Sequence, residues 1–135
     1  MSLRGATLGV LSLGRLGTAV AEIGSAFGMQ TIAWSQNLTP ADAQAKGTEY
    51  VSRDEFFRRS DVLSIHVILS ERTRGLVGER ELGLMKSTAI LVNTSRGPGW
   101  TRQHCSELCS RKGSVQRRWM SSIANPCRSI TLCVH

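Results

Sequence analysis

Along residues 1–98, short apolar runs alternate with stretches whose apolar positions recur at helical spacing. Thr7 to Leu13 is an apolar run closed by Gly14, the pattern of a buried parallel strand. Leu16, Val20, Ile23 and Phe27 then recur at helical spacing, and Gly28 suits the position just past a helix end. Thr31 to Trp34 is a second β-prone run. Ser52 with Glu55 three residues on reads as a capping box that opens a short helix through Phe56 and Phe57. Val62 to Ile65 predicts a third strand, Glu79 to Met85 a weak helix, and Ala89 to Val92 a fourth strand ending at Asn93. No internal repeat interrupts this order. The alternation predicts βαβ units on a doubly wound parallel sheet, an α/β fold.

Composition splits the chain near Pro98. At 135 residues and 41% hydrophobic, the chain is long enough for one domain with a buried core. The net charge of +7 suggests nucleic acid until its distribution is examined. Residues 1–98 carry 11 Lys/Arg against 9 Asp/Glu, a net of +2, while residues 99–135 carry 6 Lys/Arg against Glu107 alone. Cys105, Cys109, Cys127 and Cys133 all lie in the second stretch, with two of the three tryptophans. No run approaches the roughly 18 apolar residues of a membrane span. The first ten residues lack a basic segment followed by an unbroken apolar one, so a cytoplasmic protein without a secretory signal or membrane partner is expected.

Ser12-Leu13-Gly14-Arg15-Leu16-Gly17 carries the strongest chemical signal, because it sits where the first strand meets the first helix. It reads as G-x-G-x-x-G with Ser12 in place of the first glycine. That pattern serves a pyrophosphate through a tight turn, a bare backbone facing the anion, and a close helix–strand contact. Gly14 suits the bare approach and Gly17 the close contact, and the amides of Arg15 and Leu16 would face the anion from a helix N-terminus. Ser12 fits only with negative φ or with strain. An ordinary glycine-rich turn has the same letters; the strand before and the helix after favour the nucleotide. The ribose-binding acid expected about 20 residues on is absent. Ser35 stands there, either donating to the ribose or serving as a plain loop serine. The nearest acid, Asp42, lies past Pro40 and is expected on the next helix.

Three stretches together resemble the nucleotide-binding domain of the D-isomer-specific 2-hydroxyacid dehydrogenases. They are the loop at Gly14 to Gly17, the run from Ser60-Asp61 through His66 to Thr73-Arg74-Gly75-Leu76, and Leu84-Met85-Lys86 leading to Asn93-Thr94-Ser95-Arg96-Gly97. The resemblance covers about residues 3–98 and implies an incomplete Rossmann-type domain followed by a disordered or irregular tail over 99–135. It implies NAD or NADP as cofactor, a small 2-keto or 2-hydroxy acid as substrate, and a homodimer formed through this domain. Arg15 and Leu16 match the pyrophosphate-binding amides and Ser35 the ribose position. Ile68 falls where many members have proline, in the loop over the adenine side, and Thr73 matches that loop's threonine. Thr94, Ser95 and Arg96 match the nicotinamide end. Arg96 matches the catalytic arginine, whose planar guanidinium grips the substrate carboxylate and carbonyl with two parallel bonds. His66 matches a histidine that is not the catalytic one and is taken as a packing residue beside the cofactor loop.

The family's acid–base histidine and its partner glutamate have no counterpart in residues 99–135, and its first substrate-domain segment has none before Leu3. Hydride transfer to a 2-keto acid needs a proton donor at the carbonyl oxygen, so the chain alone is expected to be inactive. Cys105, Cys109, Cys127 and Cys133 with His104 and His135 could be drawn as a zinc site, but C-x3-C and C-x5-C fit no strong pattern, and no metal is expected. Arg111, Lys112, Arg117 and Arg118 beside Trp119 could be drawn as a nucleic-acid patch, the basis of a rival reading as a non-enzymatic interaction module. The genetic code offers a simpler account of the tail. With each codon started at the third base of the displayed one, Trp100-Thr101 forces an Asp, His104-Cys105 forces a Leu, and Trp119-Met120-Ser121 (with a TCN serine codon) forces Asp-Val. These fall where the family has hydrophobic-Asp-x-Ala-x-Leu and A-L-D-V-F-x-x-E-P. Residues 99–135 are therefore expected to be read out of frame, their charge and cysteines by-products, and nucleic acid is not an expected partner.

Overall fold

A computed structural model describes residues 2–67, 76–93 and 131–134. The elements run β1 (Thr7–Leu11), α1 (Arg15–Ala26), β2 (Gln30–Trp34), α2 (Pro40–Ala45), β3 (Glu49–Tyr50), α3 (Arg53–Arg59), β4 (Val62–Ile65), α4 (Glu79–Leu84), β5 (Ile90–Asn93) and β6 (Thr131–Val134). The sheet order is β3-β2-β1-β4-β5-β6. The first five strands are parallel. The fold is thus Rossmann-like α/β. Successive strands are added on one side of β1 as far as β3 and then on its other side from β4, so a topological switch point falls between β1 and β4.

Alternation along the strands divides two apolar layers. Leu8 and Val10 of β1 join Leu13, Ala21, Ala33 and Ala43 beneath α1 and α2. Leu11, Ile32, Leu63 and Ile65 join Phe56, Phe57, Met85 and Leu91 beneath α3 and α4. Phe56 and Phe57 are fully buried and meet edge to face, ring centroids 5.3 Å apart. All five residues of β1 are buried, as a central parallel strand requires.

Helix α1 turns most of the apolar stripe that marks it in the sequence outward; of the four residues only Val20, half-buried, packs against the core. Gly17, Ala21 and Gly24 pack onto the sheet, whereas Leu16, Ile23 and Phe27 are 70%, 57% and 60% exposed. The reason is closeness: a Cβ at Gly17 would collide with the Ser12 backbone carbonyl and one at Gly24 would press on Leu8 Cδ2, so small residues suit that face. The helix ends as expected. Gly28 has φ +77°, its N–H donates to the Ser25 carbonyl at 2.9 Å, and the Met29 N–H donates to the Gly24 carbonyl at 3.0 Å. This is a left-handed C-terminal cap closing a helix at its glycine.

Two strands lie outside the sequence expectation. β3 is only two residues long, too short to show a period. β6 lies within the expected irregular tail. Thr131–Val134 pairs antiparallel with β5, Asn93 opposite Thr131 and Ile90 opposite Val134. Thr-Leu-Cys-Val is β-prone, and it satisfies the open backbone edge that β5 would otherwise present. Among the described residues no helix is long and apolar enough to cross a membrane.

Candidate functional site

The carboxyl ends of β1, β2 and β4 converge on the loop that opens α1. Ser12 takes φ +76° there, the left-handed region that the first glycine of a phosphate-binding loop supplies without strain. The strained alternative is therefore the one realised. Two neighbours hold it: the Ser12 N–H donates to the Trp34 carbonyl at 3.1 Å, and the Ser12 carbonyl lies against Gly17, where a Cβ would collide with it. Gly17 thus gives the close helix–strand contact expected from the sequence.

Gly14 is the N-cap of α1, with φ −73° and ψ −167° and no side chain to cap the helix. The first turn holds no acidic residue. Arg15 and Leu16 are exposed at its start. First-turn amides have no carbonyl one turn back, so those of Arg15, Leu16 and Gly17 are donors at the positive end of a 12-residue helix. A Cβ at Gly14 would meet nothing within 4 Å, which leaves the backbone open on that side. Bare amides, a positive helix end and open space fit a pyrophosphate.

Three residues define the surroundings of the end of β2. Ser35 follows β2 half-buried, and its carbonyl accepts the Leu38 N–H at 3.4 Å in a turn. Asp42 is committed elsewhere: its N–H donates to Thr39 Oγ1 at 3.2 Å and its carboxylate accepts from that hydroxyl at 2.6 Å, capping α2. So the nearest acid lies on the next helix, as its place past Pro40 implied, and there it takes part in the cap. Trp34, at the end of β2, carries the Arg53 guanidinium 5.4 Å from its ring centroid. Arg53 in turn donates to the Leu76 carbonyl at 2.9 Å and pairs with Glu81 at 3.1 Å, tying the end of β2 to α3 and α4.

His66 follows β4. Its N–H donates to the Leu11 carbonyl at 3.1 Å, and Nε2 lies 2.8 Å from Ser64 Oγ. Burial holds its pKa below the usual histidine value, so the ring is neutral near pH 7. Both contacts fit a packing residue beside the loop. Ile68, Thr73, Thr94, Ser95 and Arg96 lie outside the described residues, as do His104, Cys105, Cys109, Arg111, Lys112, Arg117, Arg118, Trp119, Cys127 and His135 of the tail. Among the described residues no group of three His, Cys, Asp or Glu could hold a metal ion. The residue that the sequence reading missed is Lys46, whose Nζ donates to the Leu13 carbonyl at 2.6 Å across 33 positions of chain. No local pattern marks so distant a contact.

Residues 1–108 match the family model of the D-isomer specific 2-hydroxyacid dehydrogenase, NAD binding domain. The chain belongs to this family. It is 54% identical over 97 residues to a glyoxylate reductase of Aeropyrum pernix, covering 72% of this chain and 29% of that enzyme. Among solved structures it is similar to D-lactate dehydrogenase from Aquifex aeolicus complexed with NAD and lactic acid, with TM-score 0.74 and 35% identity, covering 82% of this chain and 33% of that one. A glyoxylate reductase from Paecilomyes thermophila gives TM-score 0.72 and 38% identity over the same share of this chain and 34% of its own. The chain therefore spans about a third or less of the relatives it matches. What it shares with the family is the NAD-binding domain.

Proposed function

We propose that this chain provides the dinucleotide-binding domain of an NAD(P)-dependent D-2-hydroxyacid dehydrogenase that reduces a small 2-keto acid, and that alone it binds the dinucleotide without turning substrate over. The observation that carries this reading is the open, acid-free N-terminus of α1 behind the Ser12 turn, at the carboxyl end of β1. Arg15, Leu16 and Gly17 donate their amides to the pyrophosphate, Gly14 lets it approach, and Ser35 faces the ribose. Ile68 and Thr73 belong to the loop over the adenine, and Thr94 and Ser95 to the nicotinamide end. Arg96 takes the substrate carboxylate. When bound, the nicotinamide donates or accepts hydride. A proton for the substrate oxygen has no donor assigned in residues 1–98, which form the domain on this reading. Residues 99–135 are the out-of-frame segment, and sequencing the locus checks that. The reading includes a cytoplasmic location and excludes nucleic acid and membrane as partners.

The test is direct titration of the full chain with NADH and NADPH, followed by an assay with glyoxylate, hydroxypyruvate and pyruvate. Saturable binding of either dinucleotide with no turnover is expected. Absence of binding overturns the reading, and turnover abolished by Arg96→Ala overturns the inactivity.

The homodimer belongs to the same reading. Leu16, Ile23 and Phe27 form an exposed apolar stripe on α1, and a face of that kind favours a protein partner. Sedimentation of the chain and of Phe27→Glu should show a dimer that becomes monomer. An unchanged profile removes α1 as the interface.

A further inference from the structure

The strained Ser12 turn raises the question of what holds it. Its N–H side is fixed by the Trp34 carbonyl at 3.1 Å. Its carboxyl side leads to the Leu13 carbonyl, which accepts from two donors, Lys46 Nζ at 2.6 Å and Thr18 Oγ1 at 3.4 Å. Lys46 is exposed and follows α2, where Gly47 with φ +66° turns the chain towards β3. Among the described residues it has no carboxylate partner. A lysine that spends its ammonium on a loop carbonyl, rather than on an acid, brings an uncompensated positive charge to that loop. The loop immediately precedes an N-cap with no side-chain cap and a first turn with no acid. Two effects then act together: a charge-assisted hydrogen bond fixes the Leu13–Gly14 peptide, the next but one after the Ser12 turn, and the charge favours an anion at the helix end.

We propose that Lys46 is a positioning residue of the phosphate loop, clamping the Leu13 carbonyl so that the left-handed Ser12 turn keeps the α1 amides open to the pyrophosphate of the dinucleotide. This rests on the dinucleotide reading given above. Lys46 lies on another element and touches the loop through one backbone oxygen, so its loss should spare folding and impair anion binding.

The test is calorimetric titration of the full chain with ADP, which carries the pyrophosphate, for the unchanged chain, Lys46→Met and Lys46→Arg. Lys46→Met should weaken ADP by about fivefold, the scale of one hydrogen bond. Lys46→Arg should restore most of the affinity, and thermal midpoints should stay together. In a Ser12→Gly background the Lys46→Met penalty should shrink, because glycine holds the turn unaided. If the unchanged chain binds ADP and Lys46→Met binds it equally well, the clamp has no such role. Equal losses in the Met and Arg variants also overturn it. If the unchanged chain does not bind ADP, the dinucleotide reading itself falls, and this inference with it.

Discussion

At the amino-terminal edge of the sheet, Asp61 accepts the Thr7 N–H at 2.8 Å and the Lys86 ammonium at 2.7 Å, while its own backbone bonds to Thr7 and Ile90 join β1, β4 and β5. Beside it the buried Ser60 hydroxyl donates to the Phe56 carbonyl at 2.6 Å. At the carboxyl edge the chain turns through a left-handed serine and leaves the first-turn amides of α1 without a capping side chain. One edge of the sheet is closed by pairing of side chain with backbone. The other keeps donors open and stores strain. An α/β sheet needs both, because a ligand at the carboxyl edge can be held only if the strands beneath it are fixed.

The sharpest way to break this contrast is one substitution made at two nearby glycines. Gly17→Ala places a methyl against the Ser12 carbonyl and 3.2 Å from Val10 Cγ1, and backbone cannot move aside as a flexible side chain does. A cost of about 3 kcal/mol is expected, at the upper end of overpacking, with loss of ADP binding. Gly14→Ala meets nothing within 4 Å and keeps an ordinary negative φ. Its stability should stay within about 0.5 kcal/mol of the unchanged chain. ADP affinity should still fall, because the methyl occupies the side from which the anion approaches. Urea denaturation and ADP titration of both variants check this. Equal stabilities would show that the loop has room beneath Gly17.

Asp61→Ala tests the opposite edge. It leaves the Thr7 N–H and Lys86 without their carboxylate, so about 2 kcal/mol of stability should be lost. Denaturation measures that loss. The folded protein should bind ADP unchanged, since Asp61 lies at the far end of β4 from the loop. A parallel loss of affinity would mean that the two edges are not separable.

The same division explains what the sequence made legible. Periodicity and end signals located α1, β2, β4, β5 and the start of α3 to within a residue or so, because Gly28, Ser52 and the short apolar runs act locally. The dinucleotide loop was legible because strand, glycines and helix are consecutive. The exposed face of α1 was not. Periodicity reports that large apolar residues share a face, but the approach of the Ser12 carbonyl to Gly17 and of Leu8 to Gly24 decides that the small face goes inward. Lys46 was not legible because its partner is a backbone carbonyl 33 residues away. The Ser60-Asp61 pair contributed to the family resemblance, and the structure puts both at the edge away from the loop. That part of the resemblance therefore reports how the sheet is held.

Ser12→Gly sharpens the comparison by removing the strain alone. A non-glycine residue in the left-handed region costs roughly 1–2 kcal/mol, and the added freedom of glycine in the unfolded chain returns part of it. A net gain of about 1 kcal/mol in urea denaturation is expected. No gain would mean that the serine side chain contributes a compensating contact.

The smallest effect is a pH dependence that differs between the two edges. His66, at the carboxyl edge, is held below the ordinary histidine value of 6.5 by burial. The unfolded chain therefore takes up this proton first. Its contribution is whole above pH 6.5 and fades as pH falls from there towards the lowered folded value. At the opposite edge, burial pushes the Asp61 carboxyl up, but hydrogen bonds from Lys86 and the Thr7 N–H, with the Lys86 charge, outweigh it and hold the group below the ordinary 3.8. That contribution is whole above pH 3.8 and is lost as pH falls through the lowered folded value. Stability measured by urea denaturation across this range should decline in two stages. His66→Gln should flatten the first and leave the second. Asp61→Asn should lower the whole neutral plateau and shrink the second, its curve meeting that of the unchanged chain only in strong acid. Glu81 titrates in the same lower window, its carboxyl pushed up by burial but held low overall by the Gly78 N–H, its own N–H and Arg53, so Asp61→Asn should reduce that stage without abolishing it. A first stage that survives His66→Gln would assign it to another group and remove the pH difference between the edges.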